Sequence, residues 1–212
     1  MNKLKIVGMT LCAGFLYFSA AAQTISLGPI GSFGGSWVSV SDSSGADKLF
    51  HPAWSVGLTL IYSPSEHWGF GLDARYSREG STFKHQISGT EVETTLNLAY
   101  VRIPLKAIYF FKEYGDPVRP KLFAGPSFGL LASAEAEDFD QTSFYNALDI
   151  GLIIGGGVNI RLAEAIWLNT DLAYYQGLMD ISNDDIGLTE NNLNSNVSLS
   201  VGLAFGIASN KE

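Results

Sequence analysis

The sequence predicts an all-β fold: a closed, antiparallel, up-and-down transmembrane β-barrel of eight strands. Three observations predict it. Apolar residues alternate with small or polar ones over repeated stretches of the chain, the period of a strand with two unlike faces. The polar faces are built from Gly, Ser, Ala and Asn with isolated charges, which suits the crowded interior of a narrow barrel better than a solvated surface. Connections between stretches are short at one end and long at the other, the layout of barrels with tight periplasmic turns and long extracellular loops.

The elements follow in order. Residues 1–22 hold Lys3 and Lys5, an apolar run from Ile6 to Phe18, then Ser19 and Ala20 to Ala22, the pattern of a secretory signal cleaved before Gln23. The apolar run is shorter than the ~20 residues of a spanning helix. Cys12 lies inside the leader, so cleavage leaves residues 23–212 as one barrel domain without cysteine. A glycine-rich first strand spans Ile25 to Ser41, and Ala53 to Ser63 sets Trp54, Val56, Leu58, Leu60 and Tyr62 against small residues. In "HWGFGLDARYSR", Trp68, Phe70, Leu72, Ala74 and Tyr76 oppose Gly69, Gly71, Asp73, Arg75 and Ser77. The remaining strands are Val92 to Phe111, Lys121 to Ala132, Leu148 to Leu162, Ile166 to Leu178 and Val197 to Ile207. Among the connections, Pro64 to Glu66 and Ala163 to Ala165 are short. Asp42 to Pro52, Glu79 to Glu91, Ser133 to Asn146 and Asp180 to Asn196 are long. Trp54, Tyr62, Trp68, Tyr76, Tyr100, Tyr109 and Tyr174 fall near the ends of their outward rows, as interfacial aromatic girdles require.

Composition limits the partners. The chain has 212 residues, is 46% hydrophobic and 16% charged, and carries 23 glycines against 7 prolines, one domain's worth with a strong β and turn flavour. A net charge of -8 and the lack of clustered Lys and Arg argue against nucleic acid. An exported β protein without cysteine is either an outer-membrane barrel or a soluble cavity-type binder, and the small-residue faces and connection lengths favour the barrel.

Pro104 stands inside a long strand, where proline removes a ladder donor. Leu96, Leu98 and Tyr100 alternate in one phase and Ile103, Leu105, Ala107 and Tyr109 in the other. A β-bulge between Tyr100 and Arg102 accounts for both and turns Pro104 and Lys106 inward. The candidate lumen charges are then Asp73, Arg75, Lys106, Asp149, Arg161 and Asp171, with Arg102 depending on the bulge. In a narrow low-dielectric lumen such charges pair, which predicts a plug of side chains in preference to a pore or proton path.

The long connections carry acid. Glu135, Glu137, Asp138 and Asp140 are weak candidates for a divalent cation, as are Asp180, Asp184, Asp185 and Glu190, although neither stretch has the spacing of a calcium loop. A solvated acidic surface is the expectation. His51, His67 and His85 are scattered, and no nucleophile and base share a motif, so no catalytic site and no cofactor are expected. "GGG" at Gly155 to Gly157 precedes no helix and reads as closely packed strand.

Four segments resemble one family. "YVRIPLKAIYFF" (Tyr100 to Phe111) resembles the Tyr-x-x-Ile-Pro-Leu signature of PorT-like outer-membrane β-barrels typical of Bacteroidota. "KLFAGPSFGLL", "DIGLIIGGGVNI" and the opening "IGSFGGSWVSVS" resemble its neighbouring strands. Lys106 falls earlier than in the family, and "GIASNKE" follows the last aromatic, Phe205. The resemblance implies a small outer-membrane protein of a Gram-negative bacterium, in contact with membrane lipid and lipopolysaccharide and monomeric. Its role is structural or one of surface interaction, or it is a component of a transport or secretion assembly with envelope protein partners.

Overall fold

The computed structural model describes residues 24–40, 47–87, 90–137, 139–183 and 192–209. The predicted signal segment, residues 1–22, lies outside them.

Eight long strands form the wall: β1 (Thr24–Val40), β3 (His51–Ser63), β4 (Trp68–Ile87), β5 (Thr90–Phe110), β6 (Val118–Ala136), β8 (Leu148–Ala163), β9 (Ile166–Gly177) and β10 (Asn192–Ser209). Each pairs antiparallel with its chain neighbours, and β1 pairs with β10 from Thr24↔Ser209 to Val40↔Asn192, so the ring closes and leaves no sheet edge in the wall. Two short strands decorate one rim: β2 (Asp47–Leu49) on β4, and β7 (Phe139–Asp140) on β6. The start of β1, the end of β10 and the short turns lie at one end of the ring, the turn end; the longer connections join the strands at the other, the loop end.

Alternation sets which residues face in. On β4, Gly69, Gly71, Asp73, Ser77 and Glu79 are buried, while Trp68, Phe70, Leu72 and Tyr76 are exposed on the outside. The outer rows of the other strands match: Phe33 is 68% exposed, and Val56, Leu58, Leu122, Leu152, Ile154, Leu172, Leu199 and Val201 all stand open. A belt of large apolar residues outside and charge inside inverts a water-soluble sheet and fits a wall standing in lipid.

The strands depart from expectation in two places. The described residues of the stretch from Glu79 to Glu91, expected as a long loop, are strand: β4 runs on to Ile87 and β5 begins at Thr90, paired from Glu79↔Leu98 to Ile87↔Thr90. The bulge lies on β6 instead of β5. Tyr100 pairs with Leu131 and Ala99 with Ser133, leaving Ala132 as the extra residue. On β5 the phase never changes: Leu96, Leu98, Tyr100, Arg102, Pro104, Lys106, Ile108 and Phe110 all face in. Leu96, Leu98 and Tyr100 are apolar yet lumenal because they join Val38, Ala134 and Ile181 in a small hydrophobic cluster that fills the loop end. Pro104 is tolerated because the β4–β5 ladder opens at it, the pairs skipping from Leu72↔Leu105 to Arg75↔Arg102.

Candidate functional site: the charged barrel interior

Asp73 and Arg75 stand two apart on β4 and therefore share its inner face. The Asp73 carboxylate accepts from Arg75 Nη2 at 2.6 Å, from Lys106 Nζ of β5 at 2.9 Å, and from the Thr59 hydroxyl of β3 at 2.7 Å. Arg75 also donates Nη1 to Ser200 Oγ of β10 at 3.1 Å, tying the group across the lumen.

Arg102 centres a second group. Its Nε and Nη2 reach both oxygens of Glu79, at 2.5 and 2.6 Å, and Nη2 also donates to Asp149 at 2.8 Å. Ser77 and Asn194 complete the Glu79 carboxylate, each at 2.7 Å. The rings of Tyr100 and Tyr175 lie 4.6 and 4.2 Å from the guanidinium carbon, so the cation is held in-plane by carboxylates and against its faces by π-systems.

The third group explains the glycine run. Lys121 of β6 and Asp171 of β9 both stand opposite Gly157 of β8, and they meet across it at 2.8 Å. A Cβ on Gly157 would come within 2.3 Å of Asp171 Oδ1, so the pair exists because this position carries no side chain.

The two ends differ in chemistry. At the turn end Arg119 is 1% exposed. It donates to the backbone carbonyls of Glu66 at 2.5 Å and Lys112 at 3.3 Å and lies 4.0 Å over the Phe110 ring. Among the described residues it has no carboxylate within ion-pair distance; it pins two turns together. At the loop end Ile181, fully buried, seats among Val38, Leu96, Leu98 and Tyr100. Between the ends a cavity of about 50 Å³ remains beside Arg75, Glu79, Arg102 and Asn196, room for a few waters.

Of the charges expected in the lumen, Asp73, Arg75, Lys106, Asp149 and Asp171 enter these groups, and Arg102 joins them. Arg161 does not: it lies exposed at the turn end of β8. Glu79, Lys121 and Arg119 were not among the expected charges. Carrying the alternation of Asp73, Arg75 and Ser77 one step further would have reached Glu79.

Among the described residues the acidic candidates do not converge. Glu135 faces Arg78 at 3.7 Å, Glu137 is exposed, and Asp138 lies outside the described residues, as do Asp184, Asp185 and Glu190. Asp140 is held below the ordinary carboxylate range by hydrogen bonding to Thr142, whose backbone N–H donates at 2.8 Å. Among the described residues no three His, Cys, Asp or Glu side chains are placed to hold a metal ion. His67 Nδ1 lies 2.9 Å from the Phe110 carbonyl, and His51 Nδ1 lies 3.3 Å from Thr82 Oγ1; the His85 side chain is outside the described set.

Aromatic clusters flank the apolar belt. Trp68 and Phe111 pack edge-on to Tyr109 at the turn end, and Trp54 packs on Tyr76 toward the loop end. A closed eight-stranded ring with an apolar exterior, aromatic borders and a charged interior defines an integral membrane β-barrel. The chain belongs to the outer membrane protein beta-barrel domain family, which matches residues 21–183, and this places it in the outer membrane of a Gram-negative bacterium. Neisserial surface protein A is similar in structure, with 20% identity and a TM-score of 0.55 over 87% of this chain and 98% of that one. OprG from Pseudomonas aeruginosa gives 14% identity and a TM-score of 0.59 over 90% and 98%. At such identities the likeness is one of fold. No curated protein matches the sequence.

Proposed function

We propose that this protein is a monomeric, non-conducting barrel whose work is structural or done at the cell surface by the loop end, with the short turns in the periplasm and the loops outside. The observation that carries the reading is the interior: four carboxylates, Asp73, Glu79, Asp149 and Asp171, each meet a cation, and the space left beside them is about 50 Å³. Side chains so paired act as a plug, since a transported solute would have to separate charges in a medium that screens them poorly. No catalysis, cofactor or nucleic acid enters this reading; the contacts are membrane lipid and lipopolysaccharide.

Planar-bilayer recording of the purified barrel tests it. Silence at neutral pH is expected, and a sustained ohmic conductance would overturn the plug. Protease shaving of intact cells tests the sidedness, with cleavage expected only in the longer connections.

The PorT-like segments, above all "YVRIPLKAIYFF", support a second reading as part of a transport or secretion assembly of the Bacteroidota type. A stable complex with periplasmic or inner-membrane secretion proteins on pull-down would favour it over the first.

A further inference from the structure

Among the described residues the charges inside the barrel do not balance: four carboxylates stand against five cations. Asp73 is taken by Arg75 and Lys106, Glu79 and Asp149 by Arg102, and Asp171 by Lys121. That leaves Arg119 at the turn end as the cation without a counter-charge, although it is 1% exposed. Glu66 and Asp116 act on it only at longer range, from the turns. Its bonds to the Glu66 and Lys112 carbonyls use Nη2 and Nε, and neither uses Nη1. Those carbonyls and the Phe110 ring offset part of its lost hydration but bring no net charge, and a buried charge is costly until an opposite charge meets it.

A second observation falls at the same place. Arg119, Trp167, Asn159, Ser26 and Ser63 line a cavity of about 10 Å³, enough for one occupant of about a water's size. Trp167 is 3% exposed, and its indole N–H has no hydrogen-bond partner among the described residues. Indole and guanidinium groups only donate, so what both lack is an acceptor. We propose that this cavity is a binding site for one small monovalent anion, of the size and charge of chloride, held by the Arg119 guanidinium and the Trp167 N–H with the two serine hydroxyls beside it. Its single negative charge makes the interior neutral. Sulfate and phosphate are too large for the space. The competing occupant is a water, because Asn159 Oδ1 is also unpartnered and would accept from one; turned over, the same carboxamide donates to an anion. The uncompensated cation favours the ion.

The site rests on interior chemistry alone and stands whichever role the barrel has. The purified full chain, folded in detergent micelles, is melted at fixed ionic strength while gluconate is replaced stepwise by chloride, and heat-modifiable gel migration reads the midpoint. The midpoint should rise by about 3–5 °C for each tenfold increase in chloride once the site begins to fill. Bromide should act likewise and sulfate should not. Crystals grown in bromide should show an anomalous peak beside Arg119 and Trp167. Trp167→Phe keeps a ring there and removes the donor, and should weaken the chloride dependence by about tenfold, the worth of one hydrogen bond to a charged group. Equal midpoints in chloride and gluconate, density for a water only in the bromide crystals, or a chloride dependence unchanged in Trp167→Phe would each overturn the proposal. If that variant does not fold, the bromide peak in the parent chain decides.

Discussion

Arg102 and Glu79 are joined side by side, two nitrogens to two oxygens at 2.5 and 2.6 Å, inside a barrel whose outer face is apolar. Removing the cation alone strands two buried carboxylates, Glu79 and Asp149. Arg102→Ala should therefore destabilise the folded barrel by about 3–5 kcal/mol, while replacing the three residues together by Leu or Met should recover most of that loss. Urea unfolding followed by heat-modifiable gel migration reads both. Equal losses for the single and triple variants would mean the ion pairs contribute net stability.

Leu72 stands on the outer face of the same strand, 41% exposed and opposite Leu60 and Leu105 on its neighbours. Leu72→Arg puts a charge into hydrocarbon at a cost of about 2–4 kcal/mol near the midplane. Assembly into the outer membrane should fall sharply, measured as the heat-shifted fraction in membrane preparations. Normal assembly would mean that the two faces have been exchanged.

Gly125 tolerates no side chain, since a Cβ there would lie 1.9 Å from the Leu105 carbonyl oxygen. Gly125→Ala should cost about 1–3 kcal/mol, because two backbones must separate. Gly115, in the turn between β5 and β6, has nothing within 4 Å, and its alanine variant should unfold like the parent. Thermal melts of the pair give the comparison.

Arg119 serves two carbonyls on separate turns and stacks on Phe110. A lysine keeps the charge but loses the planar fork. Arg119→Lys should lower the unfolding midpoint nearly as far as Arg119→Ala. Full rescue by lysine would show that charge alone is needed there.

The ring of eight strands was legible because a period of two is an arithmetic property of the chain, and the Asp73 to Arg75 grouping follows from it directly. What escaped was set by neighbours. Leu96 and Leu98 look like lipid-facing residues until Ile181, distant in sequence, folds over them. The meeting of Lys121 with Asp171 depends on Gly157, a residue on a third strand. Glu79 was lost at a boundary, where a run of polar residues reads as a loop although its backbone stays paired with Leu98. Arg161 was the converse error: correct in phase, but so near the turn end that it lies in the open.

The single extra residue at Ala132 works as a frameshift works in a message. Up to Gly129 the odd-numbered positions of β6 point into the barrel, and beyond the insertion Ala134 and Ala136 do. Deleting Ala132 would close the bulge and leave the faces as they are, with Leu131, Ser133 and Ala134 then following one another in regular alternation opposite Tyr100, Ala99 and Leu98. The bulge thus absorbs one surplus alanine and keeps the rim of the barrel in frame with its body.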